Sequence, residues 1–449
     1  MSALTLTSNL DQLVEETPAE GRYRIDRRIF TDQQLFELEM KYIFEGSWIY
    51  LAHESQIPNP NDFLTLTMGR QPIILNRDKE GKIGALVNAC SHRGATVCRE
   101  SRGNKSVFTC PFHGWSYNNK GDLLKVKDPN GAGYPESFCK ENLGLKRVPL
   151  VESYRGFIFG CLSADAPALH EHLGDTRTIL DIMVDQAPQG LEVLKGSSTY
   201  TYKGNWKLQT ENGADGYHVS AVHWNYIATV GRRKTGLSLD KVKAMDVGAW
   251  NSQPGGFFAF ENGHILLWFE FPNPQDRPLH PRRAEIEAQY GKTYADWMID
   301  RGRNMGLYPN VFVMDQMSTQ LRVIRPLAAN KTEVTIFCIA PVGEAPQARN
   351  HRIRQYEDFF NASGMATPDD LTEFEECQVG YNGESSRWND LSRGAAHWVK
   401  GADQHAAALG IKPIMSGIKP EDEGLFLVQH QHWLHKMREG ALREAGDTV

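Results

Sequence analysis

Two cysteines and two histidines form a regular pattern in the segment CSHRGATVCRESRGNKSVFTCPFHGW. Cys90 lies two residues before His92, and after seventeen further residues Cys110 lies three residues before His113. Each pair can present one thiolate and one imidazole from a tight loop, so two facing loops supply four metal ligands. Four unrelated core residues are rarely spaced in this way.

Two kinds of metal centre fit this set of ligands. One tetrahedral zinc ion accepts two cysteines and two histidines, whereas a Rieske [2Fe–2S] cluster takes the cysteines on one iron and the histidines on the other. The spacing alone leaves both open. The surroundings favour the cluster, because both loops use the same Cys-then-His order and lie in a β-rich segment, not in a ββα zinc finger. A cluster that transfers single electrons needs an electron acceptor, so we expect a second site that uses these electrons.

A second group of possible ligands lies in residues 205–225, NWKLQTENGADGYHVSAVHWN. Two histidines, His218 and His223, together with one carboxylate would form the facial triad of non-haem iron(II) oxygenases, which leaves coordination positions for O₂ and substrate. The His-Glu-x-x-His spacing of zinc proteases is absent. Five residues apart, the two histidines differ by about 140° around an ideal helix. The backbone must therefore be distorted there, or His223 must lie past a helix end.

Spacing alone does not identify the third ligand of this site. Glu211 and Asp215 lie in the same segment, and a distant acid such as Asp369 or Asp370 also qualifies.

Length and composition restrict the class of protein. A chain of 449 residues is long for one core and predicts two or more domains. A net charge of −6 argues against nucleic-acid binding. No signal-peptide pattern and no apolar stretch long enough to cross a membrane is present, so a cytoplasmic protein is expected. The seven cysteines are too scattered for disulfides, and the five outside the motif are expected to be small buried residues.

Local patterns predict an initial helix, then a β-rich segment, then a mixed segment. The helix is expected over residues 32–44, capped by Thr31, and short β-rich runs separated by turns cover residues 48–160. Beyond residue 163, strands are predicted at 198–208, 256–271, 311–323 and 332–340, and helices at 176–185, 211–223, 280–301 and 351–360. Such a mixture is typical of an α+β domain.

With both groups of ligands in place, the sequence resembles the large, or alpha, subunits of aromatic-ring-hydroxylating Rieske dioxygenases along nearly its whole length. The resemblance rests on CSHRG…CPFHGW, NWKLQTENGADGYHVSAVH and MATPDDLTEFEECQVGY…WNDLSRG. Within that family, WIYLAHESQIP, ESYRGFIFG, GSSTYTYKGNWKL and EDEGLFLVQHQHW are similar to benzoate and toluate 1,2-dioxygenases.

The resemblance implies a domain organisation and a role for each candidate residue. It implies a helical segment over residues 1–45 that packs on the catalytic domain, an all-β Rieske [2Fe–2S] domain over 46–162, and a catalytic domain over 163–449. The catalytic domain would have a helix-grip fold, an antiparallel sheet with a long helix. The matched residues are the cluster ligands Cys90, His92, Cys110 and His113, and the mononuclear-iron ligands His218, His223 and Asp370, with Asp369 as the fallback.

Asp215 matches a carboxylate that is not a ligand in the family. There it bridges a Rieske histidine of one subunit to an iron-ligating histidine of its neighbour.

The resemblance also implies partners and a reaction. The large subunits would form a homotrimer joined by three small (beta) subunits, and a separate flavin and iron–sulfur reductase would bring electrons from NADH. No dinucleotide-binding fingerprint occurs in this chain, which agrees with a separate reductase. The implied reaction is cis-dihydroxylation of benzoate or a substituted benzoate with O₂ in aromatic catabolism. The alternatives are a related oxygenase for anthranilate or a halobenzoate, and a Rieske monooxygenase or demethylase.

An aromatic acid substrate requires a polar group in the pocket, since an unpaired carboxylate in an apolar cavity is costly. The nearest cationic candidates are Arg322, within the predicted strand 311–323, and Arg325, which follows it. Period-two alternation places them on opposite faces if the strand continues, so at most one points inward. Structural ion pairs are the more frequent use of such arginines, and the sequence does not choose between the two.

Overall fold

A computed structural model of the chain describes residues 9–129, 133–236 and 252–446. It divides into two compact units, one formed by Met1–Glu39 with His170–Val449 and the other by Met40–Leu169. Among the helices in these described ranges, none is sufficiently long and apolar to cross a membrane.

The unit Met40–Leu169 is built from three antiparallel sheets. In spatial order their strands are Leu150–Tyr154, Phe157–Cys161 and Ile49–His53; Ile83–Val87, Gln71–Arg77, Asp62–Met68 and Arg102–Asn104; and Leu123–Lys125, Ser116–Asn118 and Val107–Thr109. A buried core that includes Phe63, Ile74 and Leu86 also contains Cys90 and Cys110. The cysteines of the first motif are therefore anchored in the core of this unit.

The larger unit contains a ten-stranded sheet in which all pairings are antiparallel. Ser198–Tyr202 pairs with Lys331–Pro341, and the other nine strands run in the spatial order Leu191–Val193, Lys331–Pro341, Thr319–Ala328, Val311–Asp315, Arg301–Leu307, Ile265–Glu270, Gly255–Ala259, Met415–Gly417 and Val399–Lys400. A small sheet of Val14–Thr17, Arg22–Asp26 and Trp388–Asp390 joins the first residues of this unit to its C-terminal part.

Helices pack beside the large sheet. The 21-residue helix Gly424–Glu444 lies against the strands Gly255–Ala259 and Met415–Gly417 and buries Leu425, Phe426 and Trp433. The other α-helices of the described chain are Gln33–Glu39, Leu169–Leu173, Thr176–Val184, Trp206–Asn212, Val219–Val222, Trp224–Gly236, Arg283–Tyr290, Lys292–Ile299, Pro346–Gln355, Thr367–Gly380 and Gln404–Leu409. One unit is built from antiparallel strands, and the other combines an antiparallel sheet with a long helix, which confirms the predicted α+β fold class.

Several predicted elements are divided in the structure by turns that hydrophobicity patterns do not mark. The predicted strand 256–271 is a hairpin of two strands, 311–323 contains a turn after Asp315, and 198–208 ends at Tyr202.

The first helix is capped by Asp32, whose side chain accepts hydrogen bonds from the amides of Gln34 and Leu35, and not by Thr31. The expectation that five cysteines are buried was wrong for Cys139 and Cys377, which are exposed.

Glu39 is a fully buried carboxylate that holds three donors in the larger unit. It accepts hydrogen bonds from Lys207 Nζ (2.5 Å), Trp206 Nε1 (2.8 Å) and Trp433 Nε1 (2.7 Å). Burial lowers the pKa of Lys207 below its ordinary value, although Glu39 opposes this effect. The carboxylate thus ties the first helix to the helix Trp206–Asn212 and to the long C-terminal helix.

We predict that Glu39→Ala lowers the free energy of unfolding by about 3–5 kcal/mol, because Lys207 is left buried without a counter-charge. Thermal unfolding should show a lower midpoint than for the unsubstituted protein. The double variant Glu39→Ala/Lys207→Met removes the stranded charge and should recover part of the loss. Equal midpoints for the single and double variants would show that the ion pair is not the cause.

Candidate metal centres

The two loops of the Cys/His motif have the same backbone arrangement. In each, the cysteine amide donates to the carbonyl five residues later, at 2.9 Å for Cys90 and 2.7 Å for Cys110. In each, the glycine four residues after the cysteine donates back to the cysteine carbonyl, at 2.8 and 2.9 Å. Gly94 and Gly114 adopt φ values of 75° and 73°, which glycine tolerates better than other residues. The sequence symmetry of the motif is therefore a structural symmetry.

The two histidines of these loops lie close together, and the two cysteines are buried. Nδ1 of His92 and Nδ1 of His113 lie 3.2 Å apart, close to the separation of about 3.3 Å for two nitrogens on one tetrahedral metal. Both cysteines are buried, whereas His92 is exposed and His113 is partly exposed. Thiolates inside and imidazoles at the surface suit two irons with different ligands, although the separation also fits zinc.

The second site is formed around a break between two helices. The helix Trp206–Asn212 ends before the histidines, and His218 and His223 flank the single helical turn Val219–Val222. A regular helix over residues 211–223 was therefore a wrong prediction, and the interruption required by the five-residue spacing is present. Asp370 reaches the same place from the first turn of the helix Thr367–Gly380.

Three donor atoms converge at this break. Nε2 of His218 and Nε2 of His223 are 3.2 Å apart, and Oδ1 of Asp370 lies 3.5 Å and 3.3 Å from them. Ligands at about 2.1 Å from one metal, in adjacent positions, are separated by roughly 3.0–3.4 Å. Two imidazole nitrogens and one carboxylate oxygen in this arrangement fit an iron(II) site with open positions.

The other carboxylates considered from the sequence lie elsewhere. Oδ2 of Asp215 is 3.0 Å from Nδ1 of His218, on the side of the ring away from the converging donors. Oε1 of Glu211 lies 2.6 Å from Nε2 of the buried His430. Asp369 is not part of the group of converging donors found in the described residues.

The charge of Asp215 controls the protonation of His218. Burial alone lowers the pKa of His218, but the adjacent Asp215 carboxylate, with a smaller contribution from Asp370, outweighs burial and raises this pKa to about 9. Burial raises the pKa of Asp215, and the His218 charge overcomes that effect and holds it below its ordinary value. A metal that binds His218 must displace a proton, so metal affinity should increase with pH toward about 9.

Asn212 is a site residue that the sequence reasoning did not identify. Its Nδ2 donates to Oδ1 of Asp370 at 3.2 Å and lies 3.3 Å from Nε2 of His218. It is the last residue of the helix Trp206–Asn212, within the segment that contains the histidines. The only available signal was this proximity in sequence, since an amide is not a preferred iron ligand.

A cavity adjoins the three donors. Its apolar walls include Leu267, Met314, Phe359 and Phe360, and its polar lining beyond the donors includes Asn212, Asn304, Gln316 and Arg322. Arg325, the other cationic candidate, is exposed and pairs with Oε1 of Glu333 at 3.0 Å. The predicted opposite orientation of the two arginines is thus observed.

Comparison with protein families agrees with both centres. Residues 47–148 match the Rieske [2Fe-2S] domain, and residues 192–410 match the ring hydroxylating alpha subunit (catalytic domain). These domains imply a Rieske cluster and a mononuclear iron, and so favour the cluster over zinc at the first motif.

Similarity to individual proteins defines the class of enzyme more narrowly. The chain is 55% identical to toluate 1,2-dioxygenase subunit alpha of Pseudomonas putida over 98% of each chain. It is 54% identical to the 2-halobenzoate 1,2-dioxygenase large subunit of Burkholderia cepacia, over 96% of this chain and 93% of the relative. A solved structure of naphthalene 1,2-dioxygenase with indole bound in the active site matches with a TM-score of 0.82 and 26% identity, over 97% of this chain and 96% of that chain.

The chain therefore belongs to the Rieske ring-hydroxylating dioxygenase family, as the large subunit of an aromatic-ring 1,2-dioxygenase.

We predict that Asp370→Ala loses the mononuclear iron and turnover while the Rieske optical and EPR spectra persist, because one of the three converging donors is removed. Asp369→Ala is the matched control, with the same change one residue earlier, and should retain most of the iron. Iron content beyond the cluster, measured together with acid-labile sulfide, distinguishes the two variants. Retention of iron in Asp370→Ala with loss in Asp369→Ala would assign the ligand to Asp369.

Proposed function

We propose that the chain is the catalytic subunit of an enzyme that cis-dihydroxylates benzoate or a substituted benzoate. The reaction adds both atoms of O₂ to adjacent ring carbons and consumes two electrons and two protons, with NADH as the electron source through a separate reductase. The observation that carries the proposal is the 55% identity to a toluate 1,2-dioxygenase alpha subunit over almost the full length of both chains.

In this proposal each group of ligands holds one cofactor. Cys90, Cys110, His92 and His113 hold the [2Fe–2S] cluster, and His218, His223 and Asp370 hold the mononuclear iron. When bound, the cluster supplies single electrons and the iron supplies an open position at which O₂ is activated. Asn212 keeps the Asp370 carboxylate in place through its 3.2 Å hydrogen bond.

Asp215 has a positioning role. At 3.0 Å from Nδ1 of His218, its carboxylate keeps a proton on that nitrogen and leaves Nε2 free to bind metal. By family resemblance, we infer that Asp215 also contacts a Rieske histidine of a neighbouring large subunit. This contact would connect the two centres across a subunit boundary.

The apolar lining of the cavity suits a flat substrate beside the donors. Phe359, Phe360, Leu267 and Met314 can pack on an aromatic ring and exclude water. The reacting carbons would then lie near the side of the site that the three protein donors leave open.

The proposed assembly follows the same resemblance. Three copies of this chain would combine with three small subunits, and a flavin and iron–sulfur reductase would bind the assembly transiently. Residues 46–162 would form the cluster domain and residues 163–449 the catalytic domain, with residues 1–45 packed on the latter.

A second candidate substrate is a 2-halobenzoate. The 54% identity to a 2-halobenzoate 1,2-dioxygenase is nearly as high as the identity to the toluate enzyme. Both candidates are aromatic carboxylates, and product analysis with a panel of ring-substituted benzoates separates them.

We predict that benzoate or a methylbenzoate is turned over with a much higher kcat/KM than toluene. Without the carboxylate, a buried donor in the pocket stays unsatisfied, which costs roughly 1–3 kcal/mol. The measurement uses the purified enzyme with its small subunit and a reductase, under ¹⁸O₂, and should find two labelled oxygens in a cis-diol. Comparable kcat/KM values for benzoate and toluene would contradict the aromatic-acid assignment, and a product with one labelled oxygen would indicate a monooxygenase.

We predict that Asp215→Asn keeps both metal centres but slows oxidation of the reduced cluster, because an amide positions His218 without the negative charge. Stopped-flow spectroscopy of the prereduced enzyme with substrate and O₂ follows the cluster directly. Metal analysis is the control. Loss of mononuclear iron from Asp215→Asn would make Asp215 a ligand or a structural support instead.

A further inference from the structure

Arg322 is a buried cation on the face of the ten-stranded sheet that is directed toward the candidate iron site. It lies in the strand Thr319–Ala328 and is 3% exposed. Leu267, Asn304, Met314 and Gln320 pair directly across four neighbouring strands, so they share one face. Arg322, two residues after Gln320, is on that same face and lines the cavity beside the three donors.

The other deeply buried arginines of the described chain have carboxylate partners. Arg277 and Arg303 both contact Asp315, and Arg352 contacts Glu344 at 2.7 Å. These pairs satisfy the expectation that a buried charge is compensated within the fold.

Arg322 differs from them. Within the residues that the structure describes, it makes no ion pair with a carboxylate. Its Nε is buried without a hydrogen-bond partner, as are those of Arg277 and Arg303. Among the described residues that line the cavity, Arg322 is also the one lysine or arginine. A buried guanidinium without a counter-anion raises the free energy of the folded protein. A bound anion from outside the protein would compensate this charge.

The balance of charge points to an anion with one negative charge. Among the charged side chains that line the cavity, Asp370 and Asp215 would neutralise an iron(II) ion, which leaves the single positive charge of Arg322. A monocarboxylate in the cavity would balance it. A guanidinium can also donate two parallel hydrogen bonds to a carboxylate, which fixes direction as well as position.

We propose that Arg322 binds the carboxylate of the aromatic substrate and so orients the ring toward the three metal donors. This inference rests on the proposed function, since it assumes an aromatic acid as substrate. It makes Arg322 a determinant of specificity, because the cation selects acids over neutral rings of the same shape. The position of the carboxylate then decides which two ring carbons lie nearest the metal donors.

The test compares Arg322→Met, which keeps the length of the side chain without its charge, with Arg325→Met. The control removes an arginine from the same strand, but one that is exposed and on the opposite face. Both variants are made in the assembled enzyme with its small subunit and both metal centres.

In Arg322→Met, kcat/KM for benzoate should fall roughly 10- to 100-fold, mainly through a higher KM. The kcat/KM for toluene should stay the same or increase. Calorimetric titration with benzoate under anaerobic conditions should show a matching loss of affinity. Arg325→Met should behave like the unsubstituted enzyme, and Arg322→Lys, which keeps the charge but not the paired donors, should fall between the two.

Several outcomes would overturn the assignment. Unchanged benzoate affinity in Arg322→Met, or equal losses for benzoate and toluene, would show that Arg322 is structural. If Arg322→Met fails to assemble with both metals, Arg322→Lys decides: it must weaken benzoate relative to toluene. An unsubstituted enzyme with no preference for benzoate would refute the aromatic-acid function and this inference together, whereas a clear preference that survives in Arg322→Met refutes this inference alone.

Discussion

The candidate iron site depends on holding three metal-binding atoms within 3.5 Å of one another. Neighbouring groups position two of the three side chains. The carboxylate of Asp215 contacts Nδ1 of His218, and Asn212 donates a hydrogen bond to Asp370. Glu39 anchors the helix that leads into the site through Trp206 and Lys207.

The break between two helices is the local feature that makes the convergence possible. Between Asn212 and Val219 the chain must turn in little space, and two glycines allow it. A Cβ atom at Gly213 would lie 2.6 Å from the ring of Phe312, and one at Gly216 would collide with the carbonyl of Pro420. Larger residues would push the segment away from the sheet and move His218 out of register with His223.

The two proposed centres differ in how they are built. The cluster loops are local, and each glycine and cysteine closes its own turn by backbone hydrogen bonds. The iron site brings together segments about 150 residues apart, with the large sheet as the wall of the cavity. The same sheet places Arg322 inside and Arg325 outside, so one strand supplies both a possible substrate contact and a surface ion pair.

The sequence by itself determined the cluster motif, the requirement for an interrupted helix at His218 and His223, and the opposite orientation of the two arginines. These follow from short spacings and from the periodicity of helices and strands, which are local properties of the chain. Residue spacing did not single out Asp370 among the acids, find Asn212, or show which arginine faces inward; family resemblance alone pointed to Asp370. Those choices depend on which distant surfaces pack together, and only the tertiary structure decides them, because packing is set by the whole core and not by neighbours in sequence.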